Sequence, residues 1–194
     1  YVYGDYVTWL ERKHPGAYSG YANSNENPHP LSIDPKLHYN TWIADRSIAC
    51  IEKATSADAP FFLWCSFPDP HEPFAAVREW SDRYKGIDID LPLNTLELSP
   101  NSQSQTMTKL GLGTEVIDPD VVVKSIKQTY GMISHIDEQI GRVLNCLDDQ
   151  NLSENTVVIF ISNHRYQLGE HGLFSKIIYP HAGHVHIPCI VKVP

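Results

Sequence analysis

The feature that most constrains the fold is a short apolar run, Val157–Ile161, which gives way abruptly to polar residues at positions 162–165. The run is continuous and rich in β-branched side chains, a pattern typical of a strand buried on both faces of a helix-covered parallel sheet. In open α/β sheets, ligand sites form just beyond the carboxyl ends of the strands. The sequence therefore predicts an α/β fold with chemistry at this junction.

The residues after this run supply both metal donors and positive charge. Asn163 and His164 offer an oxygen and a nitrogen donor, and Arg165 and Lys176 follow them in the chain. A buried strand that leads into such donors, with a lysine beyond, suits an anion held beside a metal. An ordinary strand followed by a polar loop is the alternative, and this stretch alone leaves both interpretations open.

A second apolar run, Phe61–Phe67, predicts another buried strand, which a proline-rich segment ends. His71 lies directly beyond it, between Pro70 and Pro73. Because proline fixes φ, this histidine is expected to be presented on a restrained loop. A purely structural loop histidine is the alternative.

Periodicity outlines the remaining elements. Leu37–Ala54 and a segment from Asp118 to about Asp149 are predicted helices, the second with an acidic N-cap followed by proline. Cys189–Val193 is a predicted strand. Residues 1–35 have turn chemistry without periodicity and are predicted to be an irregular surface segment, whereas residues 75–117 are predicted to form an insertion loop.

Composition limits the classes of partner. The chain of 194 residues carries a formal charge of −8 and no basic run, which argues against a nucleic-acid surface. An anionic ligand would need local positive groups to overcome this field. The sequence has no apolar run of the length that spans a membrane.

Four ordered segments resemble the sulfatase family of the alkaline-phosphatase superfamily. They are Thr41–Arg46 (TWIADR), Pro60–Phe74 (PFFLWCSFPDPHEPF), Tyr130–Leu144 (YGMISHIDEQIGRVL) and Thr156–Lys176 (TVVIFISNHRYQLGEHGLFSK). The resemblance covers roughly residues 40 to 194. It implies a mostly parallel sheet sandwiched between helices, here incomplete at its N-terminal side, within a single partial catalytic domain over residues 1–194.

The resemblance also implies roles for individual residues. His71 and Lys176 match positions that contact the sulfate or its leaving oxygen, and Asn163 and His164 match positions that hold a divalent cation, normally Ca²⁺. Asn163 stands where the family has an aspartate, so we expect weak calcium binding or none. Arg165 stands where the family has glycine; it disfavours a cation and could help to hold an anion.

The resemblance leaves three functions open. The family nucleophile is a cysteine, oxidised to formylglycine, or a serine in a C/S-x-P-x-R motif, and none of the four cysteines here is followed by that pattern. The leading prediction is a fragment of a hydrolase that cleaves small-molecule or carbohydrate sulfate monoesters, with the missing parts upstream of Tyr1, and inactive alone. The alternatives are a phosphonate or phosphate monoester hydrolase and a degenerate relative that binds sulfated ligands without turnover.

Overall fold

The computed structural model describes residues 4–18, 28–57, 59–92, 118–170, 174–175 and 185–194. Lys176 and residues 93–117 of the predicted insertion loop lie outside this part of the chain. The chain divides into two compact units, one formed by residues 1–86, 127–156 and 194 and the other by residues 87–126 and 157–193.

The described elements are helices and short strands. The α-helices are α1 (Asp5–Lys13), α2 (Tyr39–Ser56), α3 (Arg78–Ser81) and α4 (Pro119–Asp149), with 3-10 turns at Pro35–Leu37, Asp82–Tyr84 and Ser153–Asn155. The strands are β1 (Val158–Ile161), β2 (Gln167–Leu168), β3 (Phe174–Ser175) and β4 (Cys189–Lys192). Among the described helices, none is both long and apolar enough to cross a bilayer.

The two long predicted helices are confirmed to within two residues. Helix α4 begins as its sequence indicates, because the Asp118 side chain accepts a hydrogen bond from the backbone N–H of Asp120 at 2.9 Å. That bond satisfies one of the orphan donors of the first turn, while Pro119 needs none.

The buried face of α4 is more polar than its periodicity suggests. The apolar residues Tyr130, Ile133 and Leu144 recur at helical spacing in the sequence, yet all three are exposed. The residues that are buried include polar ones: Val122, Ser125, Ile126, Thr129, Met132, His135, Gln139, Cys146 and Leu147. Asp137, which lies at the same helical spacing as these apolar residues, is also exposed.

The prediction of an irregular segment over residues 1–35 is wrong for residues 5–13, which form α1. Tyr6 and Leu10, four residues apart, are both buried, and the Tyr6 hydroxyl donates to the Leu37 carbonyl at 2.7 Å. Nine residues give too short a window for the helical period to stand out against the Gly- and Pro-rich sequence that follows.

The predicted insertion loop is also wrong at its start, because residues 74–81 belong to the core. Phe74 and the three residues after it are buried, as is Trp80 on α3. Helix α4 approaches this segment so closely that a Cβ on Gly131 would lie 2.7 Å from the Ala76 Cβ. Glycine at position 131 therefore permits the contact that packs α4 here.

The strand pairs that the structure describes are antiparallel, so they do not confirm the predicted mostly parallel sheet. Strand β1 pairs with β4, with Val158 opposite Lys192 and Ile161 opposite Cys189, and β2 pairs with β3. An isolated parallel bridge joins Leu31 to Val77. An apolar run predicts a strand but does not fix the direction of its neighbour, which depends on the chain connection.

The apolar runs at 61–67 and 157–161 are not buried on both faces as predicted. Residues 61–67 form no strand, and Phe62 is 88% exposed. Exposure alternates along this run, and the Ser47 hydroxyl on α2 donates to the Cys65 sulfur at 3.2 Å. One side of the run thus lies toward α2 and the other faces outward. Strand β1 is likewise largely exposed.

Candidate functional site

His71 lies on a short proline-rich loop, residues 68–73, and is half-buried. Its backbone N–H donates to the Pro68 carbonyl at 3.1 Å. Its ring Nδ1 lies 2.7 Å from the Glu72 carbonyl. The Asp69–Pro70 and Glu72–Pro73 peptide bonds are cis. The loop therefore holds this histidine through both its backbone and its ring.

The contact with Glu72 determines which ring nitrogen of His71 can exchange a proton with a ligand. A carbonyl oxygen only accepts, so Nδ1 must carry the hydrogen of this bond. In the neutral ring Nε2 then has the lone pair, and in the imidazolium form Nε2 carries the second proton. Nε2 is therefore the atom that would give a proton to a leaving oxygen or take one up.

Asp69 ties this loop to the first turn of α2. Its carboxylate is buried and accepts a hydrogen bond from the Tyr39 hydroxyl. The Asn40 side-chain amide donates to its other oxygen at 2.7 Å. Burial raises the pKa of Asp69 to about 7, although the bonds from Tyr39 and Asn40 act in the opposite direction.

A buried aromatic and histidine cluster adjoins the start of α2. His38 caps the helix, since its Nδ1 accepts from the Asn40 N–H at 3.2 Å. The His38 and His135 rings lie 4.8 Å apart between centroids, and Trp80 stacks on His135 at 3.9 Å. Burial, and secondarily His135, lowers the pKa of His38 well below its usual value. Burial, with a smaller effect of Arg83, lowers the pKa of His135 to about 4.

These histidines should make the fold sensitive to acid. Between pH 6.5 and about 4, an unfolded histidine binds a proton that His135 in the folded chain does not. The free energy of unfolding is therefore expected to decrease as the pH falls through this window, by up to about 1.4 kcal/mol per pH unit for one such group. Asp69 acts oppositely, since its raised pKa adds stability below about 3.8 that is lost as the pH rises through about 7.

Substituting His135 isolates its share of this pH dependence. His135→Phe keeps a ring against Trp80 but cannot titrate, so the difference in unfolding free energy between pH 6.5 and 4.5 should shrink relative to the wild type. Urea unfolding at each pH measures it. His14→Asn, at an exposed histidine, serves as the control and should retain the wild-type dependence. An unchanged dependence in His135→Phe would contradict the assignment.

The polar residues after β1 form a compact turn. The Ser162 hydroxyl donates to the His164 carbonyl at 3.3 Å, and the His164 Nδ1 lies 3.2 Å from the Arg165 carbonyl. By the same reasoning as for His71, Nδ1 of His164 carries the hydrogen and Nε2 the lone pair of the neutral ring. Asn163 and Arg165 are exposed.

These residues alone do not fit a calcium site. Calcium collects six to eight oxygens, chiefly from carboxylates, whereas this turn offers a neutral amide oxygen and an imidazole. The guanidinium of Arg165 follows them in the chain and opposes a cation. Within the described residues, no group of three or more His, Cys, Asp or Glu side chains could hold a metal.

The structure does not test whether the predicted site residues converge. His71 belongs to the first unit, Asn163, His164 and Arg165 belong to the second, and Lys176 lies outside the described residues. That they act on one ligand, as the resemblance implies, stays a prediction.

Sequence reasoning missed the residues that support His71. The sequence places Asp69 only within the proline-rich segment that ends a predicted strand, and Tyr39 and Asn40 only within the predicted helix Leu37–Ala54. The available signal was an acidic residue between two prolines, two positions before the candidate histidine. Such a carboxylate has few conformations and is well placed for anchoring.

Comparison with known proteins identifies a family and relatives for this chain. A protein-family model described as Sulfatase matches residues 1–194. The arylsulfatase of Clostridium perfringens is 29% identical over 165 residues, which cover 85% of this chain and 34% of that protein. Human iduronate 2-sulfatase is 29% identical over 174 residues, which cover 77% of this chain and 30% of that protein.

A solved structure supports the same fold. The phosphonate monoester hydrolase of Agrobacterium radiobacter superposes with a TM-score of 0.75 at 19% identity, over 97% of this chain and 41% of that one. The chain thus spans about a third of the length of the two curated relatives.

Proposed function

The chain belongs to the sulfatase family, and we propose that it is part of a catalytic domain that hydrolyses sulfate monoesters. The observation that carries this proposal is the match of the family model to all of residues 1–194. The anchored loop that presents His71 adds support, since a group that transfers a proton must be held within reach of the reacting oxygen.

In this proposal the chain supplies the groups that handle charge and protons. Nε2 of protonated His71 donates to the oxygen of the leaving alcohol as the sulfur–oxygen bond breaks. The ammonium group of Lys176 stabilises the charge on the sulfuryl oxygens as a compact point charge. Arg165 adds a second cation for the anion.

A metal would have only a supporting role. Asn163 and His164 occupy positions that resemble the family's metal ligands, and a divalent cation there would add positive charge at the sulfuryl oxygens. Calcium would need carboxylate ligands in addition to these described donors.

The chain lacks the sequence motif of the covalent nucleophile, since no cysteine or serine is followed by proline two positions and arginine four positions later. We therefore propose that turnover requires residues beyond these 194. For substrates, we propose an aryl or carbohydrate sulfate ester, because the relatives that the chain resembles are named arylsulfatase and iduronate 2-sulfatase.

A phosphonate monoester hydrolase is the second candidate, favoured by the superposition on the Agrobacterium enzyme. Lysine and histidine serve a phosphonate monoester as readily as a sulfate monoester, so the residues do not separate the two. A relative that binds sulfated ligands without turnover is the candidate from a different class, favoured by Asn163 and Arg165 at the turn after β1.

Ligand binding tests the proposal without requiring turnover. Titration of the chain with 4-nitrophenyl sulfate in a calorimeter should show binding that His71→Ala weakens by about tenfold, or roughly 1.4 kcal/mol. His14→Ala, at an exposed surface histidine, should bind as the wild type does. Equal affinity of the wild type and His71→Ala would refute the role of His71. Tighter binding of 4-nitrophenyl phenylphosphonate, a phosphonate monoester with the same leaving group, than of the sulfate would favour the second candidate.

A further inference from the structure

We propose that Asp69 is a positioning residue for His71, which it holds in one ring orientation by fixing the loop 68–73 to the start of α2. The inference rests on the proposed function for its significance, since His71 is the group that would meet the ligand. Its structural basis lies within the first unit alone and concerns Asp69, Tyr39 and Asn40.

Asp69 belongs to the same loop as His71. It lies two residues before His71, inside the turn closed by the bond from the His71 N–H to the Pro68 carbonyl. A displacement of Asp69 therefore moves the turn that carries His71. The ring contact between His71 and the Glu72 carbonyl depends on the backbone conformation of these two neighbouring residues, which a rearranged turn would alter.

Two hydrogen bonds hold the side chain of Asp69 in place. Its side chain is buried, and each carboxylate oxygen accepts a hydrogen bond from a consecutive residue of α2, the Tyr39 hydroxyl and the Asn40 amide. Tyr39 and Asn40 form the first turn of an 18-residue helix, capped by the His38 ring. The loop is thus tied through two bonds to a rigid element.

The C-terminal end of the loop is held as well. Phe74, directly after Pro73, is 1% exposed, and its carbonyl accepts from the His29 N–H at 3.2 Å. The loop is therefore fixed at Phe74 by packing and at Asp69 by hydrogen bonds, with His71 between. Core packing alone does not account for a carboxylate at this position, since burying its charge costs free energy that burying an apolar side chain would not.

The experiment reads the ring of His71 directly. In ¹⁵N-labelled chain at a pH where His71 is neutral, long-range ¹H–¹⁵N spectra, assigned with His71→Gln, report which ring nitrogen carries the proton. The wild type should show the single tautomer with hydrogen on Nδ1. Asp69→Ala should give a mixture of tautomers at His71, while the signals of the buried His38 and His135 stay in place and show that the fold persists.

Matched variants separate positioning from general stability. Asp69→Asn retains an oxygen acceptor for one of the α2 donors and should restore the wild-type tautomer at least in part. Asp45→Ala removes another carboxylate contact of α2, the 2.6 Å ion pair with Arg142, and should leave the His71 ring unchanged. Tyr39→Phe, which removes one donor to Asp69 and no carboxylate, should shift the His71 ring partway toward the mixture.

The His71, His38 and His135 signals of these variants can each contradict the proposal. An unchanged His71 tautomer in folded Asp69→Ala overturns the proposal. Loss of the His38 and His135 signals in Asp69→Ala, Asp69→Asn and Tyr39→Phe alike would assign these residues a structural role only and also overturns it. The proposed function fails separately: a His71 ring that depends on Asp69 but does not respond to added 4-nitrophenyl sulfate supports positioning and contradicts sulfate binding.

Discussion

The purified chain of 194 residues is expected to release no sulfate from 4-nitrophenyl sulfate. The physical reason is that the proposed proton donation by His71 and charge stabilisation by Lys176 would only assist the attack of a nucleophile, and no cysteine or serine of the chain has the sequence context of the family nucleophile. In such sites the parts act as a unit, so removing the nucleophile abolishes most of the acceleration however well the other groups are placed.

The measurement is a colorimetric assay of repeatedly purified protein, with a sulfatase that carries formylglycine as the positive control. Turnover that persists through purification, disappears in Lys176→Ala and is retained in Lys124→Ala, a matched change at an exposed lysine of α4, would contradict the prediction. It would show that the chain contains a nucleophile which the sequence argument overlooked.

Two phenylalanines in similar sequence surroundings should differ greatly in their effect on stability. Phe74→Ala is expected to lower the free energy of unfolding by about 3–5 kcal/mol, because Phe74 is fully buried and its loss leaves a cavity. Phe62→Ala should change it by no more than about 0.5 kcal/mol, as is usual for an exposed side chain. Urea unfolding of the two variants and the wild type gives the comparison.

The comparison of Phe62 with Phe74 is informative because the sequence predicts the opposite burial of the two side chains. Phe62 lies in the predicted buried strand, whereas Phe74 borders the predicted insertion loop. Similar losses for the two variants would mean that residues 61–67 are buried in solution as the sequence predicted. A large loss for Phe62→Ala alone would contradict the described core around Phe74.

Features set by local chemistry were predictable. The ends of α2 and α4 followed from helical period, and from the capping acid Asp118 with its proline in the case of α4, because these signals act within one turn of the helix. Strands β1 and β4 were likewise recognised, since short β-branched runs favour extended backbone wherever they pair.

Features set by tertiary contacts were not predictable. Apolar character at Phe61–Phe67 and β1 could not reveal the direction of the neighbouring strand or the actual burial. The polar face of α4 is buried because His135 stacks on Trp80 and contacts Thr41 on α2 at 3.3 Å, and no periodicity shows such partners. The anchoring of Asp69 by Tyr39 and Asn40 joins residues about 30 positions apart.

The candidate site was likewise predictable only in part. The order of motifs pointed to His71, Asn163, His164 and Lys176, and the structure adds the tautomers of the two histidines and the anchor of the first. The sequence around Asn163 indicates weakened calcium binding, which stays a prediction, but it cannot give a complete set of metal ligands.

The central claim is that His71 and Lys176 act on one sulfate ester. A double-mutant cycle on the affinity for 4-nitrophenyl sulfate tests it most directly, using the wild type, His71→Ala, Lys176→Ala and the double variant in the same calorimetric titration. If both residues contact one ligand, the losses should be non-additive, with a coupling free energy of about 0.5 kcal/mol or more. Single losses that add to within about 0.3 kcal/mol, or no loss in Lys176→Ala, would contradict the claim.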